Sequence, residues 1–210
     1  MSGLSQTSVY HGPDSLNMNR GIRPTSPKLM KCPSCGTEIS DRVDACPNCT
    51  FTLAILDRQL PPPPLRSGYV NDFAGVLSRG EVLRIEQRCY EVLIRAKAEL
   101  VVVTVPTTAP VKPSEYVFWL ANRWDLGGPE NRGLMILLAL EERRVESEVG
   151  YSLEPIITDE ESLRILQEHV VPFLREGNYA EGLYQAVDVL GQIIEGAQER
   201  REPRWWEKIF

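Results

Sequence analysis

The stretch GLMILLALEERRVESEVGYSLE, residues 133–154, decides the fold of this chain. Residues 134–140 form an unbroken apolar run, which favours a strand buried on both faces inside a sheet covered by helices. The charged residues 141–143 predict a turn beside this central strand, a position where an open α/β sheet tends to place its functional site. Residues 144–150 then alternate, which predicts a half-exposed strand returning antiparallel to the first. Its two opposite sets are Val145, Ser147 and Val149, and Arg144, Glu146 and Glu148.

The segment before the hairpin predicts a second central strand. Residues 99–105, ELVVVTV, have strand character, and a helical pattern over residues 114–124 separates them from the apolar run. One helix between two strands implies a parallel crossover. We therefore expect an α/β fold, a three-layer α/β/α sandwich on a small mixed sheet.

Two capping boxes predict where further helices begin. The sequence SRGE at residues 78–81 starts a helix that runs to about residue 98, and TDEE at residues 158–161 starts another. The second helix is interrupted near Pro172, because proline lacks the N–H that a helix interior needs. A long final helix is predicted from residue 179 to about residue 200.

Four cysteines predict a metal site near the start of the chain. In KCPSCGTEISDRVDACPNCT, residues 31–50, two CPxC knuckles are separated by ten residues. Each knuckle turns two thiolates toward one point, so Cys32, Cys35, Cys46 and Cys49 predict a tetrahedral site in a small zinc ribbon. With four sulfur ligands and no open position, the zinc is expected to be structural. A redox-active CxxC pair is the alternative interpretation.

Composition shifts divide the chain into five predicted segments. Residues 1–30 lack apolar periodicity and predict a disordered tail, and residues 31–56 form the ribbon. Residues 57–67 contain four consecutive prolines and predict a stiff linker, which places a domain boundary there. Residues 68–200 form the α/β domain. Residues 201–210 mix aromatic with basic residues, which suits a membrane interface, a groove on a partner, or packing on the domain's own surface.

The overall composition is that of an ordinary globular protein, with 42% hydrophobic and 25% charged residues. The net charge of −6 argues against a general nucleic-acid surface, so no nucleic-acid partner is expected. No apolar run approaches the roughly 20 residues that span a bilayer, and the first residues lack a secretory signal pattern. The fifth cysteine, Cys89, lies on an apolar helix face and is predicted to be a buried thiol. Because metal-bound thiolates persist most easily in a reducing compartment, a cytoplasmic location is expected.

Several motifs follow one another along the chain after the prolines. They are VNDFAGVLS at 70–78, ELVVVTV at 99–105, NRGLMILLA at 131–139, RRVESEVGYSLE at 143–154, ITDEE at 157–161 and REGNYAEGL at 175–183. In this order they resemble the motifs of the TPM domain family, named after a thylakoid lumen protein, a photosystem repair protein and a modulator of acetylcholine receptors. The resemblance covers about residues 68–197, nearly all of the chain after the prolines.

The resemblance implies an α/β/α sandwich, a divalent-metal site and the phosphatase activity claimed for some members, whereas other members act in assembly or modulation. Three places depart from the family pattern. A paired asparagine before the glycine is here Asn131-Arg132, and the Asp-Arg after the central strand is here Glu142-Arg143. The GYGLE motif is here GYSLE, with Ser152 in the middle, where a requirement for positive φ would favour glycine.

Two functions remain open at this level. As a hydrolase of the phosphatase type, the protein needs carboxylates that hold Ca²⁺ or Mg²⁺, which polarises a phosphate and activates water. The candidates at loops and element ends are Asp72, Glu142, Glu154 and Asp159, and the simpler interpretation gives them turn, capping and solvated roles. As a non-catalytic adaptor, the protein instead binds protein partners through the ribbon and the TPM-like domain.

Overall fold

The computed structural model of this chain describes residues 29–201. Most of the predicted N-terminal tail and of the predicted aromatic and basic C-terminal tail therefore lies outside the described residues. Between these limits, the elements in chain order are β1 Leu29–Lys31, β2 Glu38–Ser40, α1 Leu53–Gln59, β3 Val70–Asp72, α2 Arg79–Ala96, β4 Glu99–Val105, α3 Pro113–Arg123, a 3-10 turn Gly128–Glu130, β5 Gly133–Ala139, β6 Arg144–Val149, α4 Asp159–His169, α5 Val171–Arg175 and α6 Tyr179–Arg201.

Both predicted capping boxes are present. The Ser78 hydroxyl accepts from the Glu81 N–H, and the Glu81 carboxylate accepts from the Ser78 N–H, which fixes the start of α2. Thr158 and Glu161 make the same reciprocal pair at the start of α4. Pro172 sits in the first turn of α5, where its missing N–H costs least, so the predicted interruption becomes a break between two helices.

The central sheet has the strand order β3-β4-β5-β6. Strands β3, β4 and β5 are parallel, and β6 returns antiparallel beside β5, with Leu134 opposite Val149. This arrangement confirms the predicted crossover and hairpin. The edge strand β3 was not predicted, because it has three residues and ends on polar Asn71 and Asp72, too little for a period-two pattern to show.

Alternate residues of the central strands divide between two apolar clusters. Leu100, Val102 and Ile136 belong to the cluster covered by α2, α4 and α6. Val101 and Met135 belong to the cluster on the opposite face, beneath α3. Because successive strand residues point to opposite faces, both faces of the sheet are buried, which confirms the predicted three-layer sandwich.

The N-terminal module completes the layer that α3 begins. Phe51, Leu53 and Leu56, from the end of the ribbon and from α1, belong to the same apolar cluster as Phe118 and Trp119 of α3. The rings of Phe51 and Phe118 lie 6.1 Å apart between centroids. Helix α1 occupies the start of the segment predicted as linker, and the ribbon packs on the α/β domain although the prolines were expected to hold it away. The reason is that α3, with 11 residues, leaves apolar surface of the sheet for the ribbon side to cover.

Candidate metal centre and acidic pocket

The four predicted cysteine ligands converge on one point. The first knuckle follows β1 and turns through Gly36, which has φ +73° and donates its N–H to the Cys32 carbonyl at 2.8 Å. In the second knuckle, Thr50 donates its N–H to the Cys46 carbonyl at 2.8 Å. The four Sγ atoms all lie within 4.8 Å of one another. Among residues 29–201 no other set of three or more such side chains meets this condition.

The donor set fits zinc. The Sγ atoms of Cys32 and Cys49, and likewise those of Cys35 and Cys46, are 3.7 Å apart. A tetrahedron of sulfurs about 2.3 Å from a central ion has edges of about 3.8 Å, so little movement is needed to close the site. Cys32 and Cys46 are buried, and no fifth side chain competes within the cluster described. The cluster can therefore hold a metal ion, and its four thiols are typical of a structural zinc site.

Contacts from α3 fix the first knuckle on the domain. The Ser114 hydroxyl donates to the Pro33 carbonyl at 2.9 Å, and the Lys112 ammonium donates to the Ser34 carbonyl at 2.5 Å. Trp119 donates its indole N–H to Asp57 of α1 at 2.9 Å. The metal centre is thus held against α3 by polar as well as apolar contacts.

The four acidic candidates separate into two groups at the two ends of the parallel strands, which we call the carboxyl edge and the amino edge of the sheet. Asp72 ends β3 and Glu142 follows β5, which places both at the carboxyl ends of the parallel strands. Glu154 and Asp159 follow β6, whose end lies beside the amino-terminal end of β5. One ion therefore does not contact all four side chains, and the two groups have to be considered separately.

Asp72 is engaged in the turn before α2. One carboxylate oxygen accepts from the Val76 N–H at 3.2 Å and from the Thr104 hydroxyl, and the other accepts from the Leu77 N–H at 2.9 Å. These contacts match the turn role that the sequence offered as the simpler interpretation. They occupy both oxygens of the carboxylate.

Glu142 is held by the loop after β4. Its Oε1 accepts from the Thr107 hydroxyl at 2.6 Å and from the Thr108 N–H at 2.9 Å, while its Oε2 is buried without a hydrogen bond. Burial alone would raise the pKa of Glu142, but the hydrogen bonds from Thr107 and Thr108 outweigh it and hold the pKa below its usual value. The ionised form is therefore stabilised by the protein itself.

Glu154 and Asp159 line a cavity of 280 Å³ between the ribbon and the sheet, together with Glu148 of β6. We call the cavity formed by these three carboxylates the acidic pocket. Met30 and Lys31 of β1 close its ribbon side, and Lys31 pairs with Glu160. The Oδ1 atom of Asp159 is buried and makes no hydrogen bond. At Asp159, repulsion from Glu154 adds to the effect of burial, whereas at Glu142 the hydrogen bonds outweigh burial.

Electrostatics in the acidic pocket favour protonation. Burial, followed by repulsion from Glu154, raises the pKa of Asp159 to about 6. Burial, followed by repulsion from Asp159 and Glu154, raises the pKa of Glu148 well above its usual value. At neutral pH the pocket therefore holds negative charge at a cost, and a bound cation would relieve that cost.

Sequence reasoning missed Glu148 because the alternation placed it, with Glu146, on a solvent face. That expectation is wrong for Glu146, which is 7% exposed and pairs with Arg144 at 2.8 Å. Helix α3 and the ribbon cover this face of β6. The signal in the sequence is two glutamates on one face of a strand that pairs with β5, whose residues 134–139 are all apolar.

The departures from the family pattern have structural explanations. Ser152 does not have a positive φ, so the strain that a serine would bear there does not arise. Its hydroxyl donates a hydrogen bond to the Glu130 carbonyl. Arg132 donates its Nε–H to the Ala96 carbonyl at the end of α2, at 3.0 Å. A cation at that helix end is favourable because the last carbonyls lack helical partners.

Comparison with known proteins identifies the family. The model of the TPM domain matches residues 70–193, more than half of the chain. None of the curated proteins compared with the chain matches it. A solved structure of the N-terminal domain of a protein from P. gingivalis is 32% identical, with a TM-score of 0.59, and the match covers 65% of this chain and 87% of that one.

Two more distant solved structures share the fold. The N-terminal domain of the cg2496 protein from Corynebacterium glutamicum is 17% identical, with a TM-score of 0.51, over 69% of this chain and 90% of that one. The BA42 protein from the psychrophilic bacterium Bizionia argentinensis is 13% identical, with a TM-score of 0.51, over 57% of this chain and 82% of that one. Among the helices within residues 29–201, none is long and apolar enough to cross a membrane.

Proposed function

We propose that this chain, which belongs to the TPM domain family, is a divalent-metal-dependent phosphatase carrying a structural zinc ribbon. The ribbon cysteines bind Zn²⁺. Glu148, Glu154 and Asp159 bind Ca²⁺ or Mg²⁺ in the acidic pocket once their side chains, whose oxygens do not all lie within 4.8 Å of one another, draw together around the ion. The observation that carries the proposal is the Asp159 Oδ1 atom, which is buried without a hydrogen bond among carboxylates that repel it. A cation is the partner that this atom lacks.

The pocket supports hydrolysis of a phosphate ester through its residue types. A hard divalent ion held by carboxylates supplies Lewis-acid polarisation of a phosphate and a bound water of lowered pKa. Lys31 lies at the mouth with its side chain 60% exposed, so it can contact a phosphate oxygen that enters beside Glu160. Burial and mutual repulsion raise the pKa values of Glu148 and Asp159, so the charge of a bound divalent ion would offset a cost that these two carboxylates bear when ionised.

The test is an assay of p-nitrophenyl phosphate hydrolysis by the full zinc-loaded chain, with and without added Mg²⁺, Ca²⁺ or Mn²⁺. We expect turnover that requires the added ion and falls at least tenfold in Asp159→Asn, on the order expected when a group that positions the ion is lost. The matched control is Glu168→Gln on the same helix, where the glutamate is exposed and pairs only weakly with Arg164. Turnover that is independent of added ions, or unchanged in Asp159→Asn, contradicts the proposal.

A second candidate function is that of a non-catalytic adaptor. Its support is an exposed apolar stripe on the outer face of α2, where Leu83, Tyr90 and Ile94 are 56%, 53% and 51% exposed. These residues lie seven and four positions apart, which places them on one side of the helix. Two results together would favour this function. The chain would bind Ca²⁺ or Mg²⁺ but hydrolyse no phosphate ester, and the double variant Tyr90→Ser/Ile94→Ser would lose a protein that co-purifies with the native chain.

Two further proposals concern the cellular setting. We propose a cytoplasmic location, supported by four free thiols in a metal-binding arrangement. We also propose that the C-terminal segment, residues 201–210, makes peripheral membrane contact through its tryptophan and basic residues. Flotation of the full chain with anionic vesicles, compared with a chain ending at residue 201, tests the second proposal, and equal flotation would contradict it.

A further inference from the structure

A second cavity lies away from both sites described above. It has a volume of 540 Å³ and sits beside the carboxyl-terminal end of β5, on the face of the sheet opposite the ribbon. Its volume falls within the range of sites that hold small organic molecules, about 300–1,000 Å³. In open α/β sheets, ligands bind beyond the carboxyl ends of the parallel strands, so the position is also one at which a ligand is expected.

The walls of this cavity are largely aliphatic. The hairpin supplies Leu138, Leu140 and Val145, and α5 supplies Val171 and Leu174. The partly buried members of this wall pack against the main apolar cluster, so the cavity is a recess at the surface of the core. Walls of this kind bind a hydrocarbon body by removing its surface from water.

Two guanidinium groups line the same cavity. Arg143 lies in the turn between β5 and β6, and Arg175 ends α5. Neither forms an ion pair with a residue in the described part of the chain, whereas the adjacent Arg144 pairs with Glu146 at 2.8 Å. Two unneutralised cations beside an aliphatic recess attract an anionic head group, which arginine binds bidentately.

The backbone of Arg143 adds a further indication. Its φ is +54°, in the left-handed region that glycine or asparagine occupies at lower cost in a hairpin turn. An arginine placed there bears a conformational cost, which is consistent with a use for its side chain.

We propose that this cavity, the arginine cavity, binds an organic carboxylate with an aliphatic body, whose head group is held by Arg143 and Arg175. The aliphatic chain lies against Leu138, Leu174 and the other apolar walls. This site is separate from the acidic pocket, because it lies on the opposite face of the sheet and uses no residue of that pocket. A failure of the phosphatase proposal would therefore leave this proposal unaffected, and the reverse also holds.

The experiment uses sodium octanoate as the probe and the full zinc-loaded chain as the protein. Binding is followed by NMR, through the amide signals of Ala139 and Gly177, which line the cavity. We expect saturable shifts at these positions with octanoate, at least tenfold weaker binding of 1-octanol, which lacks the charge, and no saturable binding of acetate, which lacks the chain. Octanol binding as tight as octanoate would overturn the role of the arginines.

Matched variants separate the arginines from general charge. We expect Arg175→Ala and Arg143→Gly each to weaken octanoate binding about tenfold or more, since each removes a charge-assisted contact. Arg79→Ala is the control, because Arg79 is exposed at the start of α2 and is not part of the cavity lining. The proposal would be overturned by equal octanoate affinity in all three variants or by shifts confined to another surface. It would also be overturned if the shifts appeared only after residues 202–210 were removed, because that segment would then be the occupant of the cavity.

Discussion

The two edges of the sheet hold carboxylates of the same type in opposite electrostatic states. At the carboxyl edge, Glu142 accepts hydrogen bonds from Thr107 and Thr108, and its pKa lies below the usual value. At the amino edge, Asp159 and Glu148 are half-buried beside other carboxylates, and their pKa values are raised. Residue type alone does not decide which acid is a candidate ligand; the hydrogen-bond donors that the neighbouring loops provide do.

The largest expected effect is the unfolding of the zinc ribbon, which covers α3 and the acidic pocket at the amino edge of the sheet. Cys46→Ser removes one of four thiolate ligands, and a structural zinc contributes about 10–16 kcal/mol to the folding of a ribbon. We expect this variant to lose its zinc, to unfold the ribbon and to expose Phe118 and Trp119, while the carboxyl edge keeps its protection. Metal analysis and hydrogen exchange of α3 measure the change.

Cys89→Ala is the control for this variant, because Cys89 is fully buried on the opposite face of the sheet and is not a ligand. It should keep its zinc. Retention of zinc in Cys46→Ser, or unchanged exchange in α3, would show that the ribbon neither needs the metal nor covers this face.

Asp159→Asn should stabilise the protein in the absence of divalent ions. The folded-state pKa of Asp159, about 6, lies above its unfolded value, so the unfolding free energy of the native protein falls as pH rises from about 4 to about 6. At pH 7 the free-energy cost of ionising Asp159 in the folded protein is fully present. Its removal in Asp159→Asn should raise the unfolding free energy by about 1–2 kcal/mol, a figure that allows for the partial exposure of Asp159 and for its lost interaction with the dipole of α4. Urea unfolding at pH 4 and pH 7 measures it, and a variant no more stable than the native protein at pH 7 speaks against the crowding of charge.

Glu142→Gln should lower the unfolding free energy, whereas Asp159→Asn should raise it. It replaces charge-assisted hydrogen bonds by neutral ones, at a cost of about 1 kcal/mol at pH 7. Because the folded-state pKa of Glu142 is lowered, this stabilisation is present above the unfolded pKa and is lost as pH falls through the folded one. The difference between variant and native protein in urea unfolding should therefore shrink toward pH 3. If Glu142→Gln instead gained stability at pH 7, the two edges would not differ as described.

Ser152→Gly should give the smallest effect, even though it restores the family's residue. The Ser152 hydroxyl donates to Glu130 at the amino edge, and glycine removes this contact and adds freedom to the unfolded chain. We expect a loss of about 0.5 kcal/mol in the same unfolding measurement, at the lower end for one neutral hydrogen bond. A gain in stability would mean that the position favours glycine after all.

The sheet and most helices could be predicted because they depend on local patterns. The apolar run of β5 and the capping boxes of α2 and α4 are visible in a few consecutive residues. The four cysteines were equally readable, because their spacing alone predicts convergence. The domain boundary over residues 57–67 stays a prediction.

The acidic pocket could be predicted only in part, because it depends on which surfaces the chain covers. Glu154 and Asp159 are adjacent to motifs, but Glu148 is half-buried in a pocket that is also lined by α3 and by the ribbon, which is more than 90 residues earlier in the sequence. Asp72 and Glu142 share a sheet edge, yet their hydrogen-bond donors come from loops whose course no periodicity reveals.

The most direct test of the account is a calorimetric titration of the full zinc-loaded chain with Ca²⁺ and with Mg²⁺ at pH 7. We predict one saturable site that is lost in Asp159→Asn and in Glu148→Gln and retained in Asp72→Asn, because Asp72 is occupied by the turn before α2. Repeated near pH 6, the binding should release protons, since part of Asp159 is protonated there before the ion enters. No saturable binding at millimolar ion concentration, or binding retained in Asp159→Asn and lost in Asp72→Asn, would contradict the assignment of the cation site to the amino edge of the sheet.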